Sequence, residues 1–223
     1  MELAHGVFDL PVTIESDQGE RTFHPSGAAL ADEGVMLFDV CFAHTLDQLD
    51  DGLAEHGYGL DDVRHVLLTH QDGDHAGGLA ALRERLDHPV TTFAHEGDAP
   101  AIDGREAPFK GEGDRYPASR VDVELVGGET FQTAAGEMHV VATPGHTPGH
   151  LSLYFPDAGV LLAADATVAE DGELAGPNEV FTPEMDRALA SLASLSELAF
   201  TDVLCYHGGH VEAGPDDVRA LTE

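Results

Sequence analysis

The chain has 223 residues, 42% of them hydrophobic, enough to bury a sizeable core in one domain and too many for a disordered polypeptide. Against 42 acidic residues stand 10 basic ones, and the formal charge of -32 is scattered along the chain. The charge argues against a phosphate-backbone partner, because no basic stripe is available to release counterions, and with no run of 18 or more apolar residues a membrane span is excluded.

In chain order, apolar and β-branched runs predict strands at 4–14, 34–41, 63–69, 121–126, 137–143, 150–155, 159–164 and 202–206. Helical patterns are expected at 45–56, 76–87, 183–199 and 215–222, with Pro183 and Glu184 in a first turn capped by Thr182. Strands interspersed with helices indicate a layered α/β protein, and residues 1–223 are expected to form one domain. The first 16 residues lack a basic segment followed by an apolar core, so a secretory leader is not expected and a cytoplasmic protein is. Cys41 and Cys205 end apolar runs, form no disulfide framework, and read as small buried hydrophobes. Residues 95–120, rich in Gly, Pro and charge, read as an irregular insertion or a lid over a site.

Chemistry concentrates at four strand ends. The run VRHVLLTHQDGDHAGGLAAL (63–82) closes an apolar strand with His70, Asp72, Asp74 and His75, all nitrogen or oxygen donors suited to a borderline or hard metal. Gly73 is expected to let this turn bend, and Gly77 and Gly78 to let the following helix approach closely. The run ATPGHTPGHLSLYF (142–155) stops a strand at Pro144 and Gly145 and presents His146. In VLLAADAT (160–167), Asp165 ends a buried run, where a lone charge is costly unless paired or metal-bound. In DVLCYHGGH (202–210), His207 follows a short strand and precedes glycines.

Together these motifs resemble the metallo-β-lactamase fold superfamily over nearly the whole chain, roughly residues 5 to 215. The resemblance implies a four-layer αββα sandwich with a dinuclear site at one edge. Carried over by position, His70, Asp72 and His146 would bind the first metal. Asp74, His75 and His207 would bind the second, and Asp165 would bridge both. Asp72 departs from the common pattern, which has histidine there. It either ligates in place of the imidazole, moving preference from zinc toward manganese or iron, or points away and leaves a single metal.

The implied activity is hydrolysis of an ester, thioester, lactone or related carbonyl in a small-molecule substrate. A hydroxide bridging two divalent ions, zinc foremost, would attack, and Asp74 or Asp165 would orient it and move its proton. The alternative is a mononuclear iron sulfur-dioxygenase-like enzyme built on His70, His146 and Asp165; a metal-dependent binding protein without turnover, and a nuclease, rank behind. Oligomeric state is left open.

Other histidines are weighed individually. His150 reads as a neighbour of the metal residues rather than a ligand, and His210 as exposed. Asp39 is either the partner of a ligand histidine or a solvated strand end. Tyr206 reads as core, and Phe109, Lys110 and Tyr116 as candidate substrate contacts. The acid excess, with Lys110 the only lysine, resembles the surface of proteins from a salt-loaded, haloarchaeal-type cytoplasm. There the Debye length is about 3 Å at 1 M salt and self-repulsion is screened.

Overall fold

The computed structural model describes residues 1–16, 19–31, 34–110 and 115–222. From the N-terminus, β1 (Glu2–Ala4) and β2 (Val7–Asp9) pair antiparallel, and β3 (Val12–Ser16) and β4 (Gly19–Phe23) form a separate ribbon. Strands β5 (Ser26–Ala29), β6 (Val35–Phe38), β7 (Val63–Leu67), β8 (Thr91–His95) and β9 (Val123–Leu125) complete a first sheet in the order β1-β2-β5-β6-β7-β8-β9. The second sheet comprises β10 (Thr130–Thr133), β11 (Gly136–Ala142), β12 (Leu151–Phe155), β13 (Val160–Ala164), β16 (Asp202–Cys205) and β17 (Gly209–Glu212), in that order. Between β13 and β16 the ribbon β14 (Val168–Glu170) and β15 (Glu173–Ala175) stands apart.

Helices α1 (Leu46–Ala54), α2 (Gly73–Ala76), α3 (Leu79–Arg85) and α4 (Ala99–Asp103) follow strands of the first sheet; α5 (Met185–Leu195) and α6 (Pro215–Ala220) accompany the second. The central strands are buried on both faces, so alternate side chains enter different cores. Met36 and Phe38 of β6 meet Leu153, Phe155 and Leu162 of the second sheet in the core between the sheets. Val35 and Leu37, one residue out of phase, join Leu49, Leu53, Leu79, Leu82 and Ile102 in a core beneath α1, α3 and α4. On the far side, Leu161, Ala163, Val203 and Cys205 pack with Leu192 and Leu195 of α5 and Val218 of α6. Three cores between four layers make this an αββα sandwich. Among the described residues no helix is long and apolar enough to cross a membrane.

Several expectations are corrected. The strand expected at 4–14 is broken into three by turns, the first at Gly6, whose φ is +76°. The helix expected at 76–87 breaks at Gly77 and Gly78: a Cβ there would lie 2.3 Å from the Gly73 carbonyl oxygen and 2.4 Å from that of Val40. Gly73 itself begins α2 without a positive φ, and a Cβ would meet only Tyr116 at an ordinary 3.6 Å. The third helix runs from Met185 to Leu195 rather than over 183–199, and its N-cap residue is Glu184, not Thr182. The segment 95–120 is only partly irregular, because it holds the end of β8 and all of α4; its residues 111–114 lie outside the described residues.

Candidate metal centre

Strands β6, β7 and β8 run parallel, as do β13 and β16, and β11, two antiparallel steps from β13, shares their direction. Their carboxyl ends therefore meet at one edge of the sandwich, where ligands of open α/β sheets characteristically bind. The Leu151 N–H donates to the Thr69 carbonyl at 2.8 Å and ties the two sheets together there.

All seven residues expected from the sequence converge at this edge. His70, Asp72 and His146 form one triad, His70, His75 and Asp165 a second, and Asp74, His75 and His207 a third, with donor atoms in each within 4.8 Å of one another. Asp165 Oδ2 lies 3.3 Å from both His146 Nε2 and His207 Nε2, and its Oδ1 3.4 Å from His75 Nε2. Asp72 Oδ2 faces the group, 3.5 Å from His70 Nε2 and 3.1 Å from His146 Nε2.

Local backbone aims these groups. Ala164 has φ +49°, and the β13–β16 register shifts between Leu162 and Ala164, so Asp165 turns off the strand toward the histidines. Gly145 has φ +140°, and a Cβ there would sit 2.4 Å from the Ala188 nitrogen, so a glycine is required to bring His146 against α5. His207 is held by its backbone bridge to Phe23, while the carbonyl of its neighbour Tyr206 accepts from the His24 N–H at 3.0 Å.

Hydrogen bonds then set the ring orientations. The Thr69 hydroxyl donates to Asp39 Oδ2 at 2.7 Å, leaving its oxygen to accept from His70 Nδ1 at 3.1 Å. His75 Nδ1 donates to Asp39 Oδ2 at 2.8 Å. Both rings thus direct Nε2 inward, and the His70 Nε2, His75 Nε2 and Asp165 Oδ1 atoms are buried with no hydrogen-bond partner. Three orphaned donors aimed at one another are what a cation would satisfy. His150 differs: its Nδ1 bonds Thr143 and its Nε2 accepts the Asp165 N–H at 3.1 Å, so it has no nitrogen to spare.

Electrostatics follow from this crowding. Burial opposes ionisation of Asp72, Asp74 and Asp165, yet the facing histidines hold all three carboxyls below the usual range. Burial disfavours a charged His207, but bonds to Asp165 and Asp74 raise it to about 9, and Asp39 and Asp165 likewise raise the buried His75. Burial lowers His146 and His150. Burial also pushes the Cys205 thiol up to about 12, and Cys205 and Cys41 are both free and buried.

Of the two readings of Asp39, the buried partner of a ligand histidine is the one the fold presents, at 2% exposure and with φ +64°. Tyr206 is buried, its ring 3.7 Å from that of His75 and its hydroxyl donating to the Asp74 carbonyl. Thr182, expected to cap a helix, instead lies 3.4 Å from His146 Nδ1. His210, expected to be exposed, is half-buried and bonds Asp202 at 2.7 Å.

Asp98 was missed. It is fully buried and accepts from the Gln71 N–H and Nε2, the Thr147 hydroxyl and the Gly149 N–H at 2.7–2.9 Å, binding the His70–Asp72 loop to the His146 loop. The only sequence signal is an acid just before the apolar run APAI. Of the lid candidates, Tyr116 donates to the Gln71 carbonyl at 2.7 Å, Phe109 is 44% exposed, and Lys110 contacts Asp72 and lies 2.7 Å from His146 Nε2.

Comparison with known proteins agrees with this arrangement. A probable metallo-hydrolase of Bacillus subtilis (strain 168) is 29% identical over 172 residues, covering 66% of this chain and 64% of that one. A hydroxyacylglutathione hydrolase of Methylococcus capsulatus is 31% identical over 144 residues, covering 64% of this chain and 47% of its own length. The chain thus spans about half to two thirds of these relatives. A metallo-beta-lactamase family protein from Thermus thermophilus superposes with a TM-score of 0.74 at 26% identity, covering 99% of this chain and 78% of that one. A Cronobacter sakazakii metallo-beta-lactamase shares the fold at a TM-score of 0.71 and 21% identity, over 93% and 77% of the two chains. The sequence profile of the Metallo-beta-lactamase superfamily matches residues 23–210, and with the αββα sandwich and the histidine–aspartate edge already in place, this chain belongs to that superfamily.

Proposed function

We propose that the protein is a dinuclear metal-dependent hydrolase of a small-molecule ester, thioester or lactone. The observation that carries this reading is the set of three overlapping donor triads, within which the buried His70 Nε2, His75 Nε2 and Asp165 Oδ1 have no hydrogen-bond partner. Four imidazoles and three carboxylates, with no thiolate among them, suit zinc, manganese or iron, and Asp72 makes the first triad harder than an all-histidine one. Bound there, two divalent ions would supply Lewis acidity and an activated water for attack on a carbonyl.

The protein's own groups do the rest. Asp165, reaching toward His75, His146 and His207, orients the attacking water, and Asp74, beside His207, takes its proton and returns it to the leaving group. Asp39 and Thr69 hold His75 and His70 in their ligand tautomers. Phe109, Val180 and Phe181, all exposed, give an apolar flank for the acyl portion, since Lys110 joins the His146 edge to the Phe181 carbonyl. Relatives named hydroxyacylglutathione hydrolase make thioesters the first class to assay. On this reading residues 1–223 act as one unit in a salt-loaded cytoplasm.

The test is metal content by mass spectrometry on protein purified in high salt without chelator, followed by thioesterase, lactonase and esterase assays. Two divalent ions per chain and loss of turnover in His70→Ala and Asp165→Ala are expected. Unchanged turnover in those variants refutes the hydrolase; one iron per chain with thiol-dependent oxygen uptake would replace it with the dioxygenase built on His70, His146 and Asp165.

A further inference from the structure

We propose that Lys110 is a tethered cation that holds the first donor triad and must leave before a metal can enter it. The inference rests on the metal-centre reading above and concerns the order in which that centre fills.

Lys110 is the only lysine in a chain of net charge -32. Its ammonium contacts Asp72 Oδ2, lies 2.7 Å from His146 Nε2 and donates to the Phe181 carbonyl at 3.1 Å. An ammonium has three N–H donors, and these three acceptors saturate it. Asp72 Oδ2 and His146 Nε2 are the atoms that approach each other to 3.1 Å and, with His70 Nε2, make up the first triad. An imidazole nitrogen has one lone pair. It can accept from the ammonium or ligate a metal, not both, and two cations sharing those atoms would also repel.

The exchange needs little backbone movement. The Phe109 N–H donates to Gln71 Oε1 at 2.6 Å, so the residue before Lys110 is pinned to the residue between His70 and Asp72, whose carbonyl also accepts from the Tyr116 hydroxyl. The four-carbon side chain alone swings out, toward the exposed Phe109 and Phe181. Lys110's partners among the described residues do not include Asp74, His75 or His207. The two ends of the centre therefore load unequally: the His207 end fills first, and the Asp72 end only when the lysine is displaced.

Zinc titration of metal-free protein in high salt, against a chromophoric chelator, tests this in wild type and Lys110→Met. The wild type is expected to show a tight and a weaker site, and the variant to tighten the weaker one by at least ~10-fold, the scale of a lost charge-assisted contact, without changing the tight one. Should the variant not fold, acylation of wild-type Lys110 decides, with peptide mapping to separate it from the Met1 α-amine. Lys110 is expected to react at least ~10-fold faster once two zinc ions are bound, because its three acceptors no longer hold it. Affinities within two-fold of one another, or acylation unchanged or slowed by zinc, overturn the exchange. Failure of wild type and variant alike to take up zinc instead overturns the metal centre itself.

Discussion

Asp39 and Asp98 show how single buried carboxylates organise the site without touching substrate. Asp39 accepts from His75 Nδ1 and from both the N–H and the hydroxyl of Thr69, so Asp39→Ala would free His75 to rotate and leave buried donors unpaired. Metal affinity at the His75 end is expected to fall about 10–100-fold, as for other partners of ligand histidines, measurable by zinc titration. Asp98→Ala strands four donors on the two loops that carry His70, Asp72 and His146, and is expected to cost about 3 kcal/mol or more in denaturant unfolding. A variant within about 0.5 kcal/mol of wild type would mean the loops repack around the loss. Asp39 was one of two readings of a strand-end acid; Asp98 was invisible, because its four partners come from positions 71, 147 and 149, and no local pattern links them.

At the level of elements, the turn from β11 to β12 leaves no room for a side chain where it meets α5. Gly145→Ala would place a methyl within 2.4 Å of the Ala188 nitrogen at a φ of +140°, pushing the His146 loop off the helix. A lowered melting temperature together with loss of one metal per chain is expected; a variant with full metal content would show that the helix gives way instead. The same scale explains which strands were legible. Runs such as Val160–Ala164 and Leu151–Phe155 are buried throughout and stand out as continuous apolar segments. The ribbon strand Gly19–Phe23 is largely exposed and charged, and Ser26–Ala29 is buried but carries only small side chains. Neither has a hydrophobic pattern to read, since the first is held by its hairpin partner and the second by close approach between neighbours.

At the scale of the whole molecule, the titrating groups and the net charge predict a response to pH and salt. In the metal-free protein, His75 and His207 have raised pKa values, so the stability they contribute is present below their ordinary 6.5 and is lost as pH rises, for His207 through about 9. His65, His146 and His150 are shifted down, so their contribution is present above 6.5 and lost on acidification; Asp72, Asp74 and Asp165 extend that loss below 3.8. Thermal melts of metal-free protein should therefore peak near pH 6.5 and decline on both sides. Metal requires deprotonated ligands, so the stabilisation on adding zinc should be larger at about pH 9 than at about pH 6. A melting temperature that rises steadily into the alkaline range without metal would contradict the assignment.

The charge of -32 predicts loss of structure between about 3 M and about 50 mM KCl as screening is withdrawn; an unchanged circular dichroism signal would show that the fold tolerates its own repulsion.

By itself the sequence determined the layered α/β architecture and pointed to the seven candidate donors, because strand-end histidines and aspartates beside apolar runs and glycines are local patterns. Only the tertiary structure decided which donors share a triad, that His150 is already used by the Asp165 N–H, that Asp98 binds two loops, and that the lone lysine lies on Asp72 and His146. Those relations join residues as far apart in the chain as Asp74 and His207, and such pairings depend on how two sheets pack rather than on any spacing along the chain.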